Sequence, residues 1–432
     1  MRRKKISKIE KIDSVVNAKL NSTSKEEIPI IIKYKKDRKD KISSMSGKIK
    51  YQLSVVDSIA CNMSLSDISI LKDDPDVDYI SYDNKVFAQL DIVNKTIKTN
   101  IAKNYNLTGK DITVAVIDTG LAPHVDLFKP TNRILYFKDF VNNRSKLYDD
   151  NGHGTHVAGI IAGNGYSSKE KYKGIAPSTN LVIVKALDSS GSGSTSDIVS
   201  AIQWVIENKD VYNIKILNLS LGTPISSDNN PSPLRDAVEE AIRADITVVC
   251  AAGNSGPSRG SILCPGNSPY AITVGAVDDN KTPEINDDFI ANFSSRGPTK
   301  EGIKKPDIVA PGVDIMSISN KNPSGYSSLS GTSMATPIIT GACALLYERY
   351  GDLSPRKVKN MLMNSCSNIG FSQNEQGSGI INLEKLLDEN YSRNYNAAYY
   401  DNSCDINSYN CGYNYDKILV IALFILLLIW DI

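Results

Sequence analysis

The sequence predicts an α/β fold, a doubly wound and mostly parallel sheet, on two observations. The first is a series of short, β-branched apolar runs between about residues 98 and 388: "DITVAVIDTG", "NLVIVKAL", "IKILNLSLG", "ITVVCAAGN" and "AITVGAV". Ending in Gly or polar residues, they read as parallel strands buried on both faces. The second is the helical pattern between them, as in "TSDIVSAIQWVIEN" and "SPLRDAVEEAIRA". Strand and helix in alternation build this architecture, and its sites lie beyond the strand C-termini.

Four regions follow one another along the chain. Residues 1–27 form a basic arm: the first 50 residues carry 16 Lys or Arg against 6 Asp or Glu, a solvated charge run. From "IPIIIKYKK" (28–36) to about Ala88, strand and helix signals are compact. "KIKYQLSVVDSIACNMS" is followed by Ser66 and Asp67, expected to open a short helix carrying Ile68 and Leu71. Asp73, Asp74 and Pro75 turn the chain, and Val77, Tyr79 and Ile80 start another strand. The stretch "VFAQLDIVNKTIKTN" then reads as an extended linker to residue 97, and the alternating region occupies 98–388. From 389 the chain is Asn- and Tyr-rich and ends in 13 consecutive apolar residues, Ile418 to Trp430. That run is short of the roughly 20 needed to span a bilayer. Membrane or protein-layer association and burial against the protein both stay open for it.

Composition excludes more than it assigns. With 432 residues, 41% hydrophobic and 22% charged, the chain has the makeup of a soluble protein with a large core. A net charge of +1 gives no reason to expect nucleic acid as partner. The start has no apolar run of signal-peptide length. The seven cysteines are scattered, odd in number and without a CxxC pair, so neither a zinc ribbon nor a disulfide framework is expected. A reducing, cytoplasmic location fits, with membrane association through the tail as a variant of it.

Chemistry concentrates in three motifs. "AVIDTG" holds Asp118, "NGHGTHVAG" holds His153 and His156, and "SGTSMATP" holds Ser333. Two of only three histidines thus lie three residues apart, which raises a metal pair as one reading and an acid–base histidine beside a packing one as the other. No further ligands appear at suitable spacing, and His124 stands alone in "LAPHVDLF". A serine hydroxyl needs a base within hydrogen-bond reach to act as nucleophile. His153, flanked by Gly152 and Gly154, is the candidate base, and Asp118, at the end of a buried strand, would fix its tautomer. Ser333 leads into the helix "SMATPIITGACALLYERY", whose N-terminal field favours negative charge. Pro337 is expected in that helix's first turn, where its missing N–H costs little.

Over roughly residues 98–388 the three motifs, in the order Asp…His…Ser, resemble those of the subtilisin-like serine proteases. The resemblance implies a serine endopeptidase with Asp118, His153 and Ser333 as its triad. It implies Asn254, in "VVCAAGNSG", as oxyanion donor beside the Ser333 N–H, and His156 as a packing neighbour. It implies peptide binding by Ser190, Gly191, Ser192 and Gly193 on one side and Ser220, Leu221 and Gly222 on the other, with Ala251, Ala252 and Gly253 lining a side-chain pocket. Protein or peptide substrates are the expected partners. Residues 28–97 resemble the family's inhibitor-like propeptide, a ferredoxin-like βαββαβ unit. The linker would then lie in the substrate cleft until autocatalytic cleavage between about Ala88 and Asn100.

The chain departs from the family pattern at Ile338, where many relatives have His, and in "NGYSSKEKYKGIAP", which lacks the Asn-rich calcium loop of secreted relatives. Asp126 resembles one calcium ligand, but one carboxylate does not make a site. No cofactor or metal is therefore expected to be required, and a structural calcium stays open with only weak support. Cys250 and Cys264 are expected to be packed thiols. A catalytically silent, peptide-binding scaffold is the rival reading. Such proteins usually lack a triad residue, and none is missing here.

Overall fold

The computed structural model describes residues 11–388 apart from 13, 21–26, 36–37, 46–47, 54–56, 83–88 and 226–231. The start of the basic arm and the whole tail, including the apolar run at 418–430, lie outside the described residues. Among the described residues no helix is long and apolar enough to cross a membrane. The chain divides into two compact units, Met1–Phe87 and Ala88–Ile432.

In the first unit, α1 (Ser14–Leu20) precedes β1 (Glu27–Tyr34), α2 (Lys39–Met45), β2 (Lys48–Leu53), β3 (Ser58–Ser64), α3 (Leu65–Leu71) and β4 (Val77–Tyr82). The strands order β2-β3-β1-β4, and β1 is antiparallel to both neighbours. Alternation in "EIPIIIKY" turns Ile28, Ile30, Ile32 and Tyr34 to one face. They pack there with Ile59, Met63, Ile68, Leu71 and Ile80. The helix expected to open at Ser66 and Asp67 starts earlier: Ser64 caps it, its hydroxyl accepting the Asp67 N–H at 3.2 Å.

The second unit opens with α4 (Gln89–Thr96) and α5 (Asn100–Asn104). These correct the expectation of an extended linker in the cleft. Val93 and Ile97 are fully buried in the core of this unit, because both point inward one helical turn apart. There follow β5 (Thr113–Asp118), α6 (Val125–Phe128), β6 (Ile134–Asp139), α7 (His153–Ala162), β7 (Asn180–Lys185), α8 (Thr195–Glu207), α9 (Lys209–Tyr212) and β8 (Ile214–Leu219). Next come α10 (Pro233–Arg243), β9 (Thr247–Ala251), β10 (Ile272–Asp278), β11 (Phe289–Ile290), β12 (Ile308–Pro311), β13 (Ile315–Ile318) and β14 (Tyr326–Leu329). The helices α11 (Thr332–Tyr350), α12 (Pro355–Ser365), α13 (Gln373–Gln376) and α14 (Leu383–Leu386) close it.

The main sheet runs β11-β10-β9-β8-β5-β7-β6, with β12 also on β10, and only β11 is antiparallel. Alternate residues of β5 feed two cores. Val114 and Val116 pack with α7 and α11 on one face, while Ala115 and Ile117 pack with α8 and α10 on the other. That two-sided burial explains the unbroken apolar runs. The chain leaves β5 for β6 and β7 on one side, then crosses to β8, β9 and β10 on the other. This crossover opens a crevice at the C-terminal ends of β5 and β8.

Candidate active site

Asp118 is the last residue of β5 and is fully buried. His153 opens α7 after Gly152, which takes φ +109°, a conformation that favours glycine. A Cβ on Gly154 would stand 2.4 Å from the Gly120 carbonyl oxygen, so this loop can approach β5 only without a side chain there. The result is a 2.8 Å hydrogen bond from His153 Nδ1 to Asp118 Oδ1. An ionised carboxylate only accepts, so Nδ1 carries the proton and Nε2 keeps its lone pair. Burial opposes charge on His153, but Asp118, with Asp149 farther off, overrides it and raises the pKa above its ordinary 6.5.

Asp149 holds the loop that presents His153. Its Oδ1 accepts the Thr119 hydroxyl and the N–H groups of Asn151 and Gly152, and its Oδ2 accepts both donors of Thr155. Burial works against this carboxylate, but these donors keep its pKa below the usual range. Lys185, fully buried at the end of β7, donates to the Thr119 and Leu187 carbonyls and to Asp150. The motif search missed Thr119, Asp149 and Lys185. Their signals are an Asp just ahead of an Asn-Gly turn and a lysine inside the apolar run "NLVIVKAL", where a buried charge must be paired.

Ser333 is the second residue of α11 and half-buried. Its hydroxyl donates to the Ser220 carbonyl oxygen at 3.1 Å. Among the described residues its N–H meets no acceptor, as befits the first turn of a helix. Asn254 stands beside it. Its Oδ1 accepts the N–H and the hydroxyl of Thr332, each at 2.9 Å, which leaves the Nδ2 hydrogens free to donate. Thr332 is thus a positioning residue absent from the sequence reading.

Pro337 is not in the first turn of α11 but well inside the helix. Its missing N–H strips the Ser333 carbonyl of its helical donor, a defect that costs about 3 kcal/mol in a plain helix. The Ser220 hydroxyl supplies the donor instead, at 3.0 Å. It is held in turn by the Asn218 amide, which accepts from the Thr340 hydroxyl. The proline therefore ties α11 to the end of β8, where Ser333 is needed. Ile338 is fully buried and purely structural.

His153 and Ser333 share a cleft of about 490 Å³ with Ser190, Gly191, Ser192, Gly193, Ser220, Leu221 and Gly222. Leu187, Ile198 and Leu234 add apolar wall. Ala251, Ala252 and Gly253, expected to line a side-chain pocket, are buried, and a Cβ built on Gly253 would meet Leu263 Cγ at 2.4 Å. His156 is buried, with Nε2 donating to the Ser327 carbonyl at 3.0 Å. Burial pushes its pKa down to about 4, so it packs as a neutral ring. His124 caps α6, its Nδ1 accepting the Asp126 N–H. Among the described residues no three His, Cys, Asp or Glu side chains converge as metal ligands. Asp126 accepts the Ser167 N–H on one carboxylate oxygen and the Tyr326 hydroxyl on the other. Cys250 and Cys264 are buried thiols; burial pushes Cys250 up to about 12, which leaves it unreactive.

Comparison with known proteins agrees with this arrangement. Residues 109–379 match the model of the subtilase family, Peptidase S8. The chain is 41% identical over 372 residues to serine protease AprX of Bacillus subtilis, covering 82% of each chain. It is 39% identical over 291 residues to subtilisin DY of Bacillus licheniformis, covering 67% of this chain and 95% of the relative. Among solved structures, sphericase aligns with a TM-score of 0.57 at 32% identity, over 65% of this chain and 96% of the other. A strand-end aspartate, a histidine hydrogen-bonded to it, a serine in the same cleft and these matches lead to one conclusion: the chain belongs to the subtilase family and is a subtilisin-like serine protease, a hydrolase of peptide bonds.

Proposed function

We propose that Asp118, His153 and Ser333 form the catalytic triad and that the first unit is a propeptide removed by the enzyme itself. The observation that carries the first claim is the 2.8 Å bond from His153 Nδ1 to buried Asp118, with Ser333 in the same cleft. The Ser333 hydroxyl turns from the Ser220 carbonyl to His153 Nε2, which takes its proton as Oγ attacks the scissile carbonyl carbon. The oxyanion is met by the Ser333 N–H and the free Asn254 amide. His153 then protonates the departing amine as the C–N bond breaks. A water, deprotonated by the same imidazole, attacks the acyl-enzyme and returns Ser333 to its hydroxyl. Peptide main chain pairs with residues 190–193 and 220–222 along the cleft.

Helices α4 and α5 belong to the second unit, which supports self-cleavage toward the N-terminal end of the window between about Ala88 and Asn100, ahead of α4. The test compares wild type with Ser333→Ala by intact mass, after incubation with an unfolded protein and a serine-directed phosphonate. The wild type is expected to label at Ser333, to degrade substrate and to lose its first unit; the mutant does none of these. A Ser333→Ala protein that still appears at the shorter length overturns self-processing. Absence of labelling and cleavage in the second unit alone overturns the triad. Because the base must be neutral, kcat/KM is expected to fall with pH along a limb whose midpoint lies above 6.5.

A further inference from the structure

The slot that would receive the substrate side chain next to the scissile carbonyl is already filled. An acyl carbon placed at Ser333 Oγ, with its oxygen toward Asn254, puts that side chain between the segment leading into Asn254 and the one leaving Ser220. Gly253 and Gly222 face each other across this space, and the isobutyl group of Leu263 lies between them. A Cβ built on Gly253 would meet Leu263 Cγ at 2.4 Å and Cδ1 at 2.7 Å. One built on Gly222 would meet Leu263 Cβ at 3.0 Å and Cδ1 at 3.3 Å.

Leu263 is strapped in place by its surroundings. Its N–H donates to the Ala252 carbonyl at 2.9 Å, and its neighbour Cys264 exchanges both backbone bonds with Thr223, at 2.8 and 2.9 Å. One segment thus bridges both walls of the slot, and these bonds fix the backbone from which the Leu263 side chain projects.

We propose that Leu263 restricts cleavage to bonds that follow small residues, Gly, Ala or Ser, and that it is the specificity-determining residue of this protease. The proposal rests on the triad reading above and names its substrate class. A bulky residue must displace Leu263 or leave its own side chain outside the slot, and either loses transition-state binding. Pocket discrimination of this steric kind is worth roughly 10–200-fold in kcat/KM.

The test uses the full chain and internally quenched peptides that differ only in the residue before the scissile bond: Gly, Ala, Leu or Phe. Wild type is expected to cleave the Ala peptide at least about tenfold more efficiently than the Phe peptide. In Leu263→Gly, and less strongly in Leu263→Ala, the Phe-to-Ala ratio is expected to rise by at least about tenfold. A merely structural role would lower all four peptides together and leave the ratio unchanged, which overturns the proposal. Wild type that cleaves Phe as well as Ala overturns it without any variant. Phosphonate labelling of Ser333 separates the two claims: labelled enzyme indifferent to this residue defeats the restriction alone, whereas unlabelled, inactive enzyme defeats both.

Discussion

Asp307 and Asp288 are both buried aspartates, each standing just before a strand that pairs with β10, yet they sit at opposite ends of it and in opposite electrostatic company. Asp307, at the start of β10, is met by Lys305 at 2.6 Å, Lys359 at 2.9 Å and the Thr273 N–H at 2.8 Å. Burial opposes its charge, but the two ammonium groups hold its pKa below the ordinary range. At the far end neither oxygen of Asp288 finds a donor among the described residues. Asp279, Asp287 and Asp278 surround it. Burial, and Asp279 after it, push Asp288 up to about 8, and burial pushes Asp279 to about 6. Burial alone does not decide the charge of a carboxyl group; the partner does. One end of β10 is an ion cluster and the other an uncompensated carboxyl pair, with Asp288 pushed toward its protonated form.

The largest break of this comparison is Asp307→Ala, which leaves buried Lys305 and half-buried Lys359 without their carboxylate. A loss of about 3–5 kcal/mol is expected, read as a lowered midpoint of thermal unfolding. Next comes Asp288→Asn. The folded chain keeps protons on this pair that the unfolded chain has released, so wild-type stability falls as pH rises from the ordinary 3.8 to about 8. The amide variant carries no such cost. It is expected to be more stable than wild type at pH 8 by about 1–3 kcal/mol and to show a flatter profile from pH 4 to 8. A variant that tracks wild type across that range breaks the comparison. The smallest effect expected is from calcium. If a proton neutralises the pair, added calcium leaves the gap between wild type and Asp288→Asn at pH 8 unchanged. A cation that closed the gap by stabilising only the wild type would assign the hairpin to a metal instead.

The same contrast explains what was legible in the sequence. Strands β5, β7, β8, β9 and β10 announced themselves because both faces are buried, so apolar residues fill successive positions along each. β6 did not: at the sheet edge, "ILYFKD" mixes exposed Leu135 and Tyr136 with half-buried neighbours. Asp118, His153, Ser333 and Asn254 were legible because each stands in a short run whose residue types have little other use together. Asp149 and Thr332 were not, since an aspartate before a turn and a threonine before a serine are common everywhere. The linker misread as extended had the spacing of Val93 and Ile97 in plain view, but only the core they enter shows that the spacing is used.

By itself the sequence determined which side chains stand at which strand ends, because apolar period, capping residues and glycine tolerance are local properties of the backbone. Tertiary structure alone decided how those side chains are completed. Thr332 orients the Asn254 amide, and the Ser220 hydroxyl replaces the donor that Pro337 removes. Leu263 closes the slot between Gly222 and Gly253, and Lys359 reaches Asp307. Apart from Leu263 and Gly253, ten positions from each other, these contacts join residues about 40 to more than 100 positions apart. Such contacts depend on how the sheet and its helices close in three dimensions, and no local pattern in the chain encodes that distance.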